Sequence, residues 1–131
     1  MTAVVDASVL VAAVVDAGPA GIWAERLLDK SPVAAPHLVL AEATNILRRL
    51  ELAKRMTPLD ADLARRDLLQ LDIDLFPFEP LAERIWELRS NLTCYDAWYV
   101  AIAEALDLPL ATLDRRLASA TGPSCRFLIP T

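Results

Sequence analysis

The chain has few of the residues on which several common kinds of active site depend. It contains two cysteines, Cys94 and Cys125, and one histidine, His37. Two isolated thiols form neither a disulfide framework nor a zinc site with the usual ligand spacing, so we expect both to be ordinary thiols. With a single histidine, at a predicted helix start, no Ser-His-Asp or Cys-His arrangement is a serious candidate for nucleophilic catalysis. Because His37 follows a proline where a helix is expected to begin, we expect it to be structural or solvent-facing.

Long apolar runs and an excess of basic residues are also missing. The longest apolar run near the start is far below the roughly 20 residues of a membrane span, and no basic segment precedes it as in a secretion signal. We therefore expect a cytoplasmic protein without membrane contact. The formal net charge is −5, which argues against a protein that coats nucleic acid through bulk electrostatics. It does not exclude a nuclease, because a nuclease that uses metal ions needs carboxylates in its cleft.

What the sequence does contain is a regular alternation of short apolar segments and amphipathic segments. Its 131 residues, 55% of them hydrophobic and 24% charged, are enough for one folded domain over residues 1–131. Strands are predicted over 2–5, 33–35, 73–76, 108–112 and 125–129. Helices are predicted over 7–15, 22–30, 37–51, 57–71, 80–90, from 93 onward and over 115–120. This alternation is typical of an α/β fold with a parallel sheet flanked by helices.

Two aspartates follow predicted apolar strands. Asp6 interrupts the run A-V-V-D-A-S-V-L-V near the N-terminus, and Asp114 follows the strand predicted at 108–112. A buried Asp without a partner costs on the order of several kcal/mol, so Asp6 must lie at an edge, cap a helix or hold a cation. Helix capping is open for both aspartates, but ligand sites of α/β sheets form at the carboxyl ends of strands, so we favour an edge and a cation. Ser8 and Thr112 are either ligand-binding hydroxyls or turn residues.

Two further acids lie near the starts of predicted helices, on or beside the apolar face. At about 100° per residue, Glu42 falls at the margin of the apolar arc of its helix, and Asn45 shares that margin. Asp96 lies inside the apolar stripe of its own helix. Each has a structural alternative. Glu42 could pair with Arg49, and Thr93 with Asp96 could form a capping box, although that motif prefers Glu or Gln.

These four acidic positions can converge at one end of a parallel sheet. Two carboxylates about 4 Å apart repel each other by roughly 4 kcal/mol at an effective dielectric of about 20, so four of them together imply a bound cation. Ligation by oxygen alone favours Mg²⁺ or Mn²⁺ over zinc. The chemistry that such a site performs best is phosphoryl transfer to water.

Four motifs then occur in order along the chain: V-V-D-A-S, A-E-A-T-N-I-L, Y-D-A-W-Y and A-T-L-D-R-R-L. In these motifs the sequence resembles PIN-domain proteins, and more narrowly the VapC-type toxins of bacterial toxin–antitoxin pairs. The resemblance implies a three-layer α/β/α domain, metal-dependent endoribonuclease activity on RNA, a VapB-like antitoxin and a homodimer. It also implies that the catalytic and metal-binding residues are an acidic quartet, Asp6, Glu42, Asp96 and Asp114, with Ser8, Asn45 and Thr112 in support.

Two other classes of protein remain as alternatives. A metal-dependent phosphatase of the haloacid-dehalogenase kind would have a second Asp where Ser8 stands. A receiver-like module, which binds without catalysis, would have paired acids near the N-terminus and a Lys after a late strand. The sequence has neither pattern, so the nuclease remains the preferred interpretation.

Overall fold

Short strands alternate with helices along the chain. The computed structural model describes the backbone of residues 1–131 and their side chains apart from that of Lys30. The strands are β1 Val4–Val5, β2 Val33–Pro36, β3 Ile73–Phe76, β4 Leu110–Ala111 and β5 Phe127–Leu128. The helices are α1 Ala7–Val15, α2 Pro19–Lys30, α3 Val39–Leu52, α4 Pro58–Leu68, α5 Ala82–Glu87, α6 Cys94–Leu106 and α7 Arg115–Ala118. A 3₁₀ turn, Glu79–Leu81, leads directly into α5.

The five described strands form one parallel sheet in the order β3-β2-β1-β4-β5. β1 is central, and Val4 lies beside Ala34 of β2 and Leu110 of β4. The chain builds the sheet outward from β1 to β3 and then crosses back to β4 on the other side of β1. The strand order therefore reverses between β1 and β4, and ligands of α/β sheets bind outside the carboxyl ends of the strands at such a point.

Helices cover both faces of the sheet. Crossovers between parallel strands are right-handed, which places α1 to α4 on one face and α5 to α7 on the other. The packing agrees, since α1 contacts α2, α3 and α4, whereas α6 contacts α5 and the strands β1, β2 and β4. The predicted three-layer α/β/α architecture is thus confirmed.

The buried residues explain how these helices pack. α3 buries Val39, Ala43 and Leu47, which recur at intervals of four and form the single apolar stripe of an amphipathic helix. α2 lies close against the end of α1. A Cβ atom on Gly21 would lie 1.7 Å from the carbonyl oxygen of Asp16, so only glycine permits this approach.

The boundaries of several elements differ from the sequence predictions. The helix predicted from residue 37 begins at Val39, because the His37 N–H donates to the Phe76 carbonyl oxygen at 3.1 Å and continues the pairing of β2 with β3. The helix predicted over 80–90 is divided into a 3₁₀ turn and the short α5. β1 and β4 each keep two paired residues, fewer than predicted.

The two cysteines, the single histidine and the apolar helices all lie among the described residues. Cys94 is an exposed free thiol, Cys125 is a partly buried free thiol, and His37 is exposed. Within the described residues, no single helix is long and apolar enough to cross a membrane. α1 and α2 meet the requirement of length and composition only together, as a pair bent by 108°.

Candidate active site

Asp6 lies at the carboxyl end of the central strand, and only 9% of its surface is exposed. Its Oδ1 accepts the Ser8 hydroxyl and, at 3.2 Å, the backbone N–H of Val9, while Oδ2 accepts the Thr112 hydroxyl. Burial raises the pKa of Asp6, and the hydrogen bonds from Ser8, Thr112 and Val9 oppose that rise. Asp6 therefore lies at the edge of the sheet and also caps α1, so two of the alternatives considered from the sequence are both observed.

The loops after β1 and β4 are tied to each other by two hydroxyl groups. The fully buried Thr112 donates to Asp6 and accepts the backbone N–H of Asp114 at 2.9 Å. The Ser8 hydroxyl oxygen accepts the backbone N–H of Leu113 at 3.3 Å. The exposed Asp114 caps α7, since its Oδ1 accepts two backbone N–H groups of the first turn at 3.0 and 3.3 Å. These bonds fix two acids relative to each other across the reversal point of the sheet.

Glu42 enters from the first turn of α3 and is partly buried. Its Oε1 accepts the hydroxyl of Tyr99 from α6 at 2.7 Å. Burial raises the pKa of Glu42, the Tyr99 hydroxyl lowers it, and the negative charges of Asp96 and Asp6 raise it further. Among the ion pairs of the described side chains, none joins Glu42 to Arg49, so the simple pairing considered from the sequence is not formed.

Tyr99 is the residue of this site that the sequence reasoning missed. Its spacing from Asp96 predicts only a place in the apolar stripe of α6, and the side chain is buried, with 2% of its surface exposed. Burial and the neighbouring Glu42 raise the pKa of the Tyr99 phenol, so it remains a protonated donor. The available signal was its spacing, because Tyr99 follows Asp96 by three residues and so lies on the same side of α6.

Asp96 lies in the first turn of α6 and is also partly buried. Its backbone N–H donates to the Thr93 hydroxyl oxygen at 3.1 Å, so Thr93 is the N-cap. Burial raises the pKa of Asp96, and the charges of Asp114 and Asp6 raise it further, against lowering by Thr93 and Arg116. Among the described hydrogen bonds, none is donated by the Thr93 N–H to the Asp96 carboxylate, so the reciprocal half of a capping box is not formed.

The donor chemistry of the acidic quartet fits a hard divalent cation. The charge of Asp6 acts on Glu42 and Asp96, and that of Asp114 acts on Asp96, so the carboxylates share one electrostatic environment. Mg²⁺ or Mn²⁺ would stabilise these carboxylates, because their negative charges are partly buried and repel one another. As the described side chains stand, no three Asp, Glu, His or Cys groups are arranged to hold one ion. The fit to a cation therefore rests on the chemistry of the donors.

Asn45 takes no part in the described hydrogen bonds of the site. Asn45 is exposed on α3, one turn beyond Glu42. No described hydrogen bond connects its amide to a member of the acidic quartet. Its supporting role therefore stays a prediction.

The fold and the site define a class of protein, and comparison with known proteins identifies it. The chain belongs to the PIN-domain family, whose sequence profile matches residues 3–123, and within that family it falls among the VapC ribonucleases, toxins of toxin–antitoxin systems. It is 44% identical over 125 residues to Ribonuclease VapC1 of Mycobacterium tuberculosis. The aligned residues cover 95% of this chain and 94% of that protein.

Two further comparisons agree with this assignment. The chain is 40% identical over 126 residues to VapC ribonuclease Mb0985 of Mycobacterium bovis, with 96% of each protein covered. The crystal structure of PAE2754 from Pyrobaculum aerophilum is similar to the present fold, with a TM-score of 0.72 and 27% identity over 98% of this chain and 90% of that one. The chain is therefore a ribonuclease by family, and dependence on a divalent metal is typical of that family.

Proposed function

We propose that this chain is an endoribonuclease that depends on Mg²⁺ or Mn²⁺ and acts on RNA as the toxin of a toxin–antitoxin pair. In this proposal residues 1–131 form one domain that works in the cytoplasm. The observation that carries the proposal is geometric: at the reversal point of the sheet, Thr112 ties Asp6 to the turn of Asp114, and Tyr99 ties Glu42 to α6, the helix that carries Asp96. Hydrolysis of a phosphodiester by an activated water is the chemistry that this arrangement supports best.

In this proposal the acidic quartet holds the cation and the surrounding hydroxyls position the acids. A bound divalent cation would supply a water molecule of lowered pKa and would stabilise negative charge on the phosphodiester. Ser8 and Thr112 hold the Asp6 carboxylate through hydrogen bonds, and Tyr99 holds Glu42 in the same way. We keep Asn45 as a further supporting residue, on the strength of the motif that contains it.

The exposure of the acids indicates the side from which substrate approaches. Asp6 is buried, Glu42 and Asp96 are partly buried, and Asp114 is exposed. The site therefore opens to solvent toward α7, and an extended polymer can reach it without a deep cavity. Single-stranded segments and loops of RNA satisfy this requirement better than a rigid duplex.

The direct test is cleavage of RNA under defined metal conditions. We expect cleavage with Mn²⁺ and with Mg²⁺, and loss of cleavage when EDTA is added. Attack by water should leave a 5′-phosphate and a 3′-hydroxyl, which can be distinguished by enzymatic end-labelling. Cleavage that survives EDTA, or products with cyclic phosphate ends, would contradict the mechanism. A preparation of the variant Asp6→Asn controls for contaminating nuclease.

We also propose an antitoxin that places a basic side chain among these acids, and a homodimer of this chain. The negative charge of the site supports the first part, and the family supports both. Val15 and Ile22 are 37% and 45% exposed beside the partly buried Trp23, so α1 and α2 offer apolar surface for such a partner. Co-expression with the small open reading frame next to the gene should give a complex and relieve growth arrest. If it does neither, the antitoxin proposal fails.

A further inference from the structure

A positively charged side chain lies at the rim of the acidic quartet, on the first turn after β4. Arg116 is exposed, and its backbone N–H donates to Asp114 Oδ1 at 3.0 Å. The hydrogen bond that places Asp114 therefore also fixes the backbone of Arg116. Arg116 thus lies at the edge of the site, on the turn that Asp114 caps.

The neighbouring Arg115 carries the same charge in different surroundings. Its Nη2 donates to the carbonyl oxygen of Pro130 at 3.2 Å, which holds the guanidinium toward the C-terminal segment. Among the side chains that the structure describes, no carboxylate forms an ion pair with Arg116. The Arg116 guanidinium is therefore available to an anionic ligand, whereas Arg115 already has a partner.

An RNA substrate meets an electrostatic obstacle at this site. The chain has a formal net charge of −5, and the acidic quartet concentrates negative charge where a phosphodiester must come closest. A guanidinium presents a rigid fork of N–H donors that matches phosphate, and it loses its hydration more easily than an ammonium does. Contacts of this kind position the backbone of a nucleic acid without reading its sequence.

We propose that Arg116 binds a phosphate of the RNA next to the scissile phosphodiester and so holds the strand over the acidic quartet. This inference rests on the proposed ribonuclease function. It makes Arg116 a substrate-binding residue that acts on any RNA sequence. Arg115 takes no part in binding, so the two adjacent arginines form a natural pair of test and control.

The test is the steady-state cleavage of a short single-stranded RNA in Mn²⁺ over a series of monovalent salt concentrations. We expect Arg116→Ala to raise KM roughly tenfold or more, because it removes a hydrogen bond to a charged group. The slope of log kcat/KM against log salt should become shallower by about 0.7, the value for one phosphate contact on a single strand. Arg116→Lys should restore the slope but only part of KM, since lysine keeps the charge and lacks the fork.

The control is Arg115→Ala, which removes the same charge from the adjacent position and should leave KM and the salt slope close to those of the parent. If Arg116→Ala and Arg115→Ala behave alike in both quantities, the inference is overturned. Melting curves in EDTA show whether each variant folds. If Arg116→Ala does not fold, Arg116→Lys takes its place: a KM no higher than that of Arg115→Ala overturns the inference. A parent protein that cleaves no RNA would instead overturn the proposed function, and this inference with it.

Discussion

Asp6 illustrates how a carboxylate is held inside an apolar core. Each of its oxygens accepts a hydroxyl, and Oδ1 also accepts a backbone N–H. Hydrogen bonds to charged groups contribute about 1.5–3 kcal/mol each, which offsets much of the cost of burial. The pKa of Asp6 nevertheless remains raised, so burial outweighs these bonds. The carboxylate is held in position, but burial still destabilises its charge. A divalent cation bound there would stabilise that charge.

The same balance leads to a prediction for Asp96→Asn. The variant should abolish RNA cleavage, and in EDTA it should unfold at a higher temperature than the parent, because it relieves burial of charge and repulsion from Asp114 and Asp6. A gain on the order of 1 kcal/mol would move the melting temperature by roughly 2–8 °C. Added Mn²⁺ should stabilise the parent more than the variant, because only the parent keeps the full ligand set.

A matched control for Asp96→Asn exists on α4. Asp60 occupies the same position relative to its cap Thr57 as Asp96 does to Thr93, with N–H to hydroxyl distances of 3.1 Å in both helices. Asp60 is exposed and is not a member of the acidic quartet, so Asp60→Asn should lose only the interaction of its charge with the helix dipole, about 0.3–1 kcal/mol. If Asp96→Asn melts as low as Asp60→Asn does, Asp96 is a capping residue and its assignment to the quartet is wrong.

Residue types at the site could be predicted better than their contacts. Asp6 and Asp114 follow strands in the structure as the sequence indicated. A charged side chain is costly to bury inside an apolar strand, so it lies at the end of the strand. The Tyr99 hydroxyl contact with Glu42 could not be predicted in this way. It joins residues that are 57 positions apart on different helices, and only the packing of α6 on the sheet brings them together.

At the scale of single elements, the N-caps of α4 and α6 should have equal effects on stability and unequal effects on activity. Thr57→Ala and Thr93→Ala each remove one hydroxyl acceptor from a first helical turn and should lower the free energy of unfolding by about 0.5–2 kcal/mol. Only Thr93→Ala loosens the turn that carries Asp96. We therefore expect Thr93→Ala to lower RNA cleavage severalfold while Thr57→Ala retains it, as measured at a temperature where both variants are folded. Equal activities would show that the cap of α6 does not orient the site.

The elements themselves were predicted well where one local signal was sufficient. α1 matches its predicted range, and the start of α4 is close to the predicted one, since the helix begins at Pro58 after its cap Thr57, although it ends at Leu68 and not at residue 71. The predictions are poorer where tertiary contacts decide the boundary. The 3₁₀ turn before α5 and the start of α3 after His37 depend on pairing and packing with distant residues, which local periodicity does not contain.

For the whole molecule, the raised pKa values determine how stability changes with pH. The pKa values of Asp6, Glu42 and Asp96 are above their ordinary values of 3.8, 4.5 and 3.8 in the folded chain. The folded state therefore binds more protons than the unfolded state in the window above these values, and the free energy of unfolding decreases as pH rises through it. Glu104, whose pKa is lowered, acts in the opposite sense, but only below its ordinary value of 4.5.

We accordingly expect the protein in EDTA to melt at a higher temperature near about pH 4.5, at the upper end of these ordinary values, than near about pH 7.5. With Mn²⁺ present the trend should weaken or reverse, because protons compete with the cation for the same carboxylates. Thermal scans in matched buffers measure both trends. Asp96→Asn should show a shallower dependence in EDTA, which separates the site from the general effect of net charge. A metal-free stability that increases over this range would contradict the assignment.

The pairing of β1 with β4 has a consequence for the synthesis of the chain. Asp6 and Thr112 are separated by 106 positions, and at about 5–20 residues per second the ribosome needs roughly 5 to 20 s to make the stretch between them. During that interval the first strand exists without the segment that carries Thr112 and Asp114. A nascent chain therefore has no complete set of acids until the fourth strand has emerged and docked. In the proposed mechanism, the nascent ribonuclease therefore cannot cleave RNA until the segment that carries Thr112 and Asp114 has been made.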